Sequence, residues 1–370
     1  MALLLAEHIL PLSIIALSYG FSLTIRRHLS AISKDHFWPS SLIFDDLRIG
    51  PNIVSLSDPD LLKTVYSTRG EFLKSEHFAV ADGQHSGRPV STIFSARSNA
   101  FHAQTTQPIA KLYSLPSILK IESLTDQSLV NLYRGLFDRC IELIMERVGD
   151  SGTSRERTDM LDIFLQAKET YPDVVEDSDI MAAGSDTSAS LEKAVIYHVL
   201  KDPAILAKLQ AEPDAAYLSF TPKYSEVEAL PYLDATIKEG LRIHPPIGVL
   251  LERIVPRSGL KLRDGRVIPA GTIVGMNAWV LTRNKEIFGD DDDVFRPERW
   301  LQVEGESART YKERVGMMKE ASFSWGGGNR VCIGKNMATV SIYKVIATIF
   351  RNYNLEPTDR QRNGSCINIG

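Results

Sequence analysis

Apolar residues recur at three- and four-residue spacings from about Ala110 to Leu209, most clearly in LVNLYRGLFDRCIELIMERV. That repeat predicts amphipathic helices. A further helix is expected in LPYLDATIKEGLRIHPP, where Pro231 suits a first turn, Pro245 and Pro246 stop the run, and Leu233, Ile237 and Leu241 form the core stripe. Strand signals gather later. LKLRDGRVI predicts a hairpin turning on the two residues Asp264 and Gly265, and IPAGTIVGMNAWV adds β-branched residues after a Pro-Ala-Gly bend. KNMATVSIYKVIATIF reads as another amphipathic helix. The pattern is mainly α with a small β-sheet region. It shows no internal repeat, and its nearest approach to a break is GDSGTS, Gly149 to Ser154.

The first 25 residues depart from this pattern. MALLLAEHILPLSIIALSYGFSLTI is apolar apart from Glu7, His8 and a few hydroxyls, and the clean run from Ile9 to Ile25 is at the short end of what spans a bilayer. Its basic residues, Arg26, Arg27, His28 and Lys34, follow the run instead of preceding it. This favours a membrane anchor with the chain beyond Arg26 in the cytoplasm, against a buried helix or a cleaved signal. The rest is globular in composition: 370 residues, 44% hydrophobic, net charge -4. No concentrated basic run points to nucleic acid. Cys140, Cys332 and Cys366 are too scattered for a disulfide framework or a tetrahedral zinc site.

Chemistry concentrates in FSWGGGNRVCIGKNMA, Phe323 to Ala338. A phosphate loop would need a glycine at Asn329 and Ser or Thr at Asn336, and a cysteine phosphatase would need an arginine at Ala338. What remains is a glycine-rich loop that delivers one thiol just before a helix. Amides and the helix dipole at that end are expected to lower the Cys332 pKa. A single thiolate held by amides suits an axial haem ligand. Arg330 would then be placed to pair with a propionate, and Gly334 would let the backbone pass close to the porphyrin. On this stretch alone, a buried inert cysteine stays open.

The pattern of an aromatic, then Gly, Arg, Cys and Gly, met here by Trp325, Gly328, Arg330, Cys332 and Gly334, resembles the cysteine loop of the cytochrome P450 haem-thiolate monooxygenases. Trp325 replaces the family's usual phenylalanine. AAGSDTSAS, Ala182 to Ser190, resembles the family's central helix, which implies a proton-handling acid-alcohol pair in Asp186 and Thr187. Glu239 and Arg242 resemble its Glu-x-x-Arg pair, locked by Arg299 of FRPERW in a structural role, and Arg253 falls where a propionate-binding arginine is common. The acidic run Asp290 to Asp293 reads as a solvated loop in preference to a cation site.

FHAQTTQPIAKLYS resembles the helix that supplies another haem contact; His102 is present, but Thr106 stands where a base is usual. The resemblance runs from about Ile49 to Phe350 and is nearest to fungal microsomal members of the pisatin-demethylase type. Only 67 residues separate Tyr113 from Met181, so the distal helices between about 114 and 180 are expected to be shortened and the family fold incomplete. The implied cofactor is haem b (iron protoporphyrin IX). Without a dinucleotide motif, electrons would come from NADPH-cytochrome P450 reductase, with cytochrome b5 as a further donor. The implied activity is insertion of one oxygen atom of O2 into an apolar small molecule, in fungal secondary metabolism and at the endoplasmic reticulum membrane. The competing expectation is a haem-binding protein whose truncation leaves it little oxygenase activity.

Overall fold

Helix boundaries fall where capping residues and prolines put them. In the computed structural model, which describes residues 46–85, 88–122, 185–216, 218–219, 221–357 and 367–369, the longer helices are α1 (Asn99–Ala110), α2 (Ser185–Lys201), α3 (Pro203–Ala215), α4 (Pro231–Ile243), α5 (Ala308–Ala321) and α6 (Lys335–Asn352). Ser98 caps α1 by accepting from the Phe101 amide, and Asp202 caps α3 from the amides of Ala204 and Ile205, with Pro203 at the first helical position. Apart from Asp46 and Leu47, the described residues lie in one unit, Arg48–Gly370. Most of the segment from Ala110 to Leu209, including Cys140 and the LVNLYRGLFDRCIELIMERV run, lies outside the described residues; so do Met1 to Ile25 and Cys366.

The main core is the meeting of α2, α3, α4 and α6. Leu191, Val195 and Val199 of α2 pack with Ile205 and Leu209, Leu233 and Ile237, and Val340, Ile346 and Phe350. Leu241, the last member of the expected α4 stripe, is partly buried against the same cluster. At Gly240 a Cβ would come within 2.4 Å of Val195 Cγ2, so this glycine sets how closely α2 and α4 approach. Truncating a core leucine such as Leu233 to alanine would cost about 2–5 kcal/mol.

The sheet strands are β1 (Leu47–Gly50), β2 (Ile53–Ser55), β3 (Leu73–Lys74), β4 (Arg253–Ile254), β5 (Leu260–Lys261), β6 (Val267–Ile268) and β7 (Ile273–Gly275). Five form one sheet in the order β1-β2-β7-β4-β3. In it β2 and β7 run parallel, while β4 is antiparallel to both β7 and β3, pairing Lys74 with Arg253. β5 and β6 form the expected hairpin with a different turn. Leu262 N donates to Arg266 O and Gly265 N to Leu262 O, leaving Arg263, Asp264 and Gly265 as a three-residue loop. Gly265 has φ +88, so it takes the left-handed position that closes a type I turn, and the tight two-residue turn is not formed. The Pro-Ala-Gly bend is present, with Gly271 at φ +79. A second core of Leu56, Tyr66, Val274, Met276 and Leu281 lies against this sheet and takes in Phe323.

Candidate functional site

Glu239 is fully buried on α4, and five donors converge on it: Arg242 Nε (2.9 Å) and Nη2 (2.7 Å), the Arg296 amide (2.9 Å), Arg299 Nε (3.4 Å) and Trp300 Nε1 (2.8 Å). Arg242 gives its other donors to the carbonyls of Thr282, Asp292 and Val294. The expected Glu239, Arg242 and Arg299 group therefore exists, and Trp300 joins it without having been anticipated. The acidic run needs correction. Asp291 binds Arg296 and Arg299 through its carboxylate, which holds its pKa well below the usual carboxylate range, and Asp292 is buried. This turn is a receptor for arginines, not a solvated loop.

That scaffold carries the cysteine loop. Ser324 Oγ donates to Leu241 O of α4 at 3.0 Å, and Phe323 is buried with its ring 4.5 Å from that of Tyr66. The loop turns back on itself where Cys332 N donates to Trp325 O (2.8 Å); Trp325 is itself half-buried. Gly328 has φ +61, and a Cβ there would stand 1.9 Å from Tyr66 O. Close packing on the Tyr66-Ser67 backbone thus requires glycine there. At Gly334 a Cβ would meet nothing nearer than Cys332 Sγ at 3.9 Å, so this residue leaves room beside the thiol.

Cys332 precedes α6 as expected, and the residue as a whole is exposed although the protein crowds its thiol. The expectation of a lowered pKa is corrected. Burial pushes the thiol up, and this outweighs the amides of Gly334 and Lys335 and the Lys335 charge, which act the other way.

Near the loop, cations gather that form no ion pair among the described residues. Arg330 uses Nη2 on Ser98 O (3.2 Å) and Asn99 Oδ1 (2.8 Å), while its Nε and Nη1 are buried with no partner. Arg253 is 4% exposed, lies 4.8 Å over the Tyr66 ring and donates only to carbonyls, those of Leu251 and Glu252. His102 on α1 is pushed down to about 4 by burial, then by Arg330 and Lys74, so it is neutral at pH 7. Thr106 offers no charge; its hydroxyl donates to His102 O at 2.7 Å. Lys74 was not anticipated. It is 7% exposed and pushed down to about 7 by burial, then by Arg253 and Arg330. The structure thus brings Arg253, Arg330 and His102 together, and adds Lys74.

Asp186 and Thr187 occupy the first turn of α2, with Thr187 half-buried; Ala182, Ala183 and Gly184, as well as the Asp186 side chain, lie outside what is described. Among the described residues no helix is long and apolar enough to cross a membrane, and no group of three or more His, Cys, Asp or Glu side chains could hold a metal ion.

A mainly helical fold that presents a thiol on a glycine-rich loop, close to buried cations that form no ion pair among the described residues, can receive an anionic group beside a sulfur. The chain belongs to the cytochrome P450 family, whose model matches residues 89–366. Similar proteins include the cytochrome P450 monooxygenase cfoH of Aspergillus candidus, 29% identical over 414 aligned positions that take in 85% of this chain and 77% of the relative. Another is the cytochrome P450 monooxygenase cicH of Emericella nidulans, 29% identical with 84% and 80% covered. The family is one of haem-thiolate enzymes, so haem b is the expected cofactor, and the residues present fit it: the buried, unpartnered Nε and Nη1 of Arg330 call for a carboxylate, and the space beside Gly334 leaves Sγ accessible.

Proposed function

We propose that this chain is a haem-thiolate monooxygenase that inserts one oxygen atom of O2 into an apolar small molecule in fungal secondary metabolism, and that it is of the pisatin-demethylase-like type. The observation that carries this reading is the pairing of the Cys332 thiol with unpartnered buried guanidinium nitrogens two residues away. Haem, when bound, supplies the oxygen activation that no side chain provides. Cys332 Sγ would be its ligand, and a bound metal cation deprotonates a coordinating thiol outright, which offsets the upward push of burial. Arg330 and Arg253 would bind the propionates, with neutral His102 as a hydrogen-bonding neighbour. Trp325 would cover the sulfur, and Gly334 would admit the ring. Glu239, Arg242 and Arg299 fix the loop that carries the ligand. Asp186 and Thr187 would hold and pass protons on the oxygen-binding face.

Residues 1–25 act in this reading as the anchor to the endoplasmic reticulum membrane, with residues 26–370 facing the cytoplasm. NADPH-cytochrome P450 reductase supplies electrons, and cytochrome b5 is a second donor. Equal sedimentation with membranes after deletion of residues 1–25 would count against the anchor. The distal helices between about 114 and 180 are shortened relative to the family. In support of a shortened chain, though not of its place, about 100 of the 414 positions aligned with cfoH have no counterpart here. This same observation favours the alternative of a haem protein with little oxygenase activity, because a reduced roof admits water to the reacting centre. NADPH-dependent product formation by the full chain with a reductase decides between them. Turnover supports the monooxygenase, and a haem-loaded protein that only releases peroxide supports the alternative.

A further inference from the structure

Lys74 and Arg253 stand directly opposite each other across the β3-β4 pair, 7% and 4% exposed. Like charges in that relation repel, and a buried ammonium without an anion is costly. Among the described residues neither is relieved by an ion pair. Lys74 Nζ donates to the carbonyl of Phe94 and lies 4.2 Å and 4.8 Å over the rings of Phe78 and Phe94. Among the described residues no carboxylate forms an ion pair with Lys74, Arg253 or Arg330. The buried carboxylate flanking Arg253, Glu252, accepts instead from Ser75 Oγ at 2.5 Å. Three basic side chains against this one carboxylate leave a surplus of cationic groups, which ionised propionates would neutralise.

The position that would otherwise supply a base on α1 is Thr106, whose hydroxyl is committed to its own helix. We propose that Lys74 is a cofactor-binding residue: with Arg253 opposite it, its ammonium takes a haem propionate and replaces the basic side chain that Thr106 lacks. This rests on the haem-thiolate reading. It also explains why an ammonium is kept at a buried sheet position where an apolar side chain would be less costly.

The test uses the full chain as wild type, Lys74→Met and Lys74→Arg, each loaded with haem and with haem dimethyl ester, whose propionates carry no charge. Release of each to excess apomyoglobin is followed by absorbance. Lys74→Met should lose haem about 10- to 100-fold faster than wild type, the range of one hydrogen bond to a charged group, while Lys74→Arg stays near wild type. Release of the ester should change little with Lys74→Met. Without haem, Lys74→Met should be at least as stable as wild type, since it removes one of three crowded cations.

Equal acceleration for haem and ester, unaltered haem release, or a Lys74→Met chain that fails to fold would each overturn the assignment. If wild type forms a thiolate-type spectrum with haem and Lys74→Met behaves like it, only the lysine's role falls. If wild type forms no such spectrum, the haem-thiolate reading falls and takes the lysine with it.

Discussion

Replacing Glu239 by glutamine preserves the shape of the side chain and removes one buried negative charge. Arg242 and Arg299, 1% and 3% exposed, then face a neutral amide, and one end of that amide turns donors toward the donors already there. Arg299 keeps Asp291 as a partner, whereas Arg242 keeps only backbone carbonyls. Breaking a buried pair by removing one member costs about 3–5 kcal/mol, a large part of the roughly 5–15 kcal/mol that holds a folded domain together. Urea unfolding followed by circular dichroism, together with the haem absorbance, reads this directly. With a urea slope of about 3 kcal/mol/M the midpoint should fall by about 1 M or more, and haem should be lost early in the transition because the loop is fastened to α4. The exposed Arg309-Glu313 pair serves as the control, and Arg309→Ala should shift the midpoint by less than about 1 kcal/mol allows. A Glu239→Gln midpoint as close to wild type as that of Arg309→Ala would refute the reasoning.

Three further outcomes are expected. Gly328→Ala should lower haem occupancy and the unfolding midpoint together, since its Cβ would press on Tyr66 O at 1.9 Å and φ is +61 there; full haem occupancy would contradict the packing argument. The haem-free protein should grow more stable as pH rises from about 7 toward 10.5, because the folded pKa of Lys74 lies below its unfolded value and the unfolded chain binds the extra proton in that window. Arg330 is itself pushed down to about 10 by burial and then by Arg253, so the Lys74 contribution is read between about pH 7 and 9, where His102 is neutral and Lys74→Met should flatten the rise in urea midpoints; an equal rise in both proteins over that range would contradict it. In any turnover supported by a reductase, Thr187→Ala should yield less product per NADPH consumed and more peroxide, and unchanged coupling would remove this residue from proton handling.

Much of the scaffold was legible because local rules settle it. Prolines marked both ends of α4, and the spacing of Glu239 and Arg242 on one helix left only Arg299 to be supplied by a distant segment. Trp300 and Asp291 were not legible, since nothing in FRPERW or the acidic run shows that Trp300 donates to Glu239 while Asp291 accepts from Arg299. At Gly328 the motif shows only that glycine belongs there; the packing that requires it, on the Tyr66 backbone more than 250 positions away in the chain, is visible only in the fold. Lys74 escaped for a similar reason. It sits on a two-residue strand without hydrophobic alternation, and only the register that sets it opposite Arg253 reveals a buried cation lacking an anion. The hairpin at Asp264 and Gly265 was correct in kind and off by one residue, because a Gly in the left-handed position also closes a three-residue loop.

The most direct test of the thiolate assignment is the absorption spectrum of the reduced, CO-bound full chain, recorded for wild type and for Cys332→Ala after reconstitution with haem. The account predicts the long-wavelength band of a thiolate-ligated haem in wild type and its complete loss in Cys332→Ala. The same band in both proteins, or its absence from the haem-loaded wild type, would contradict it.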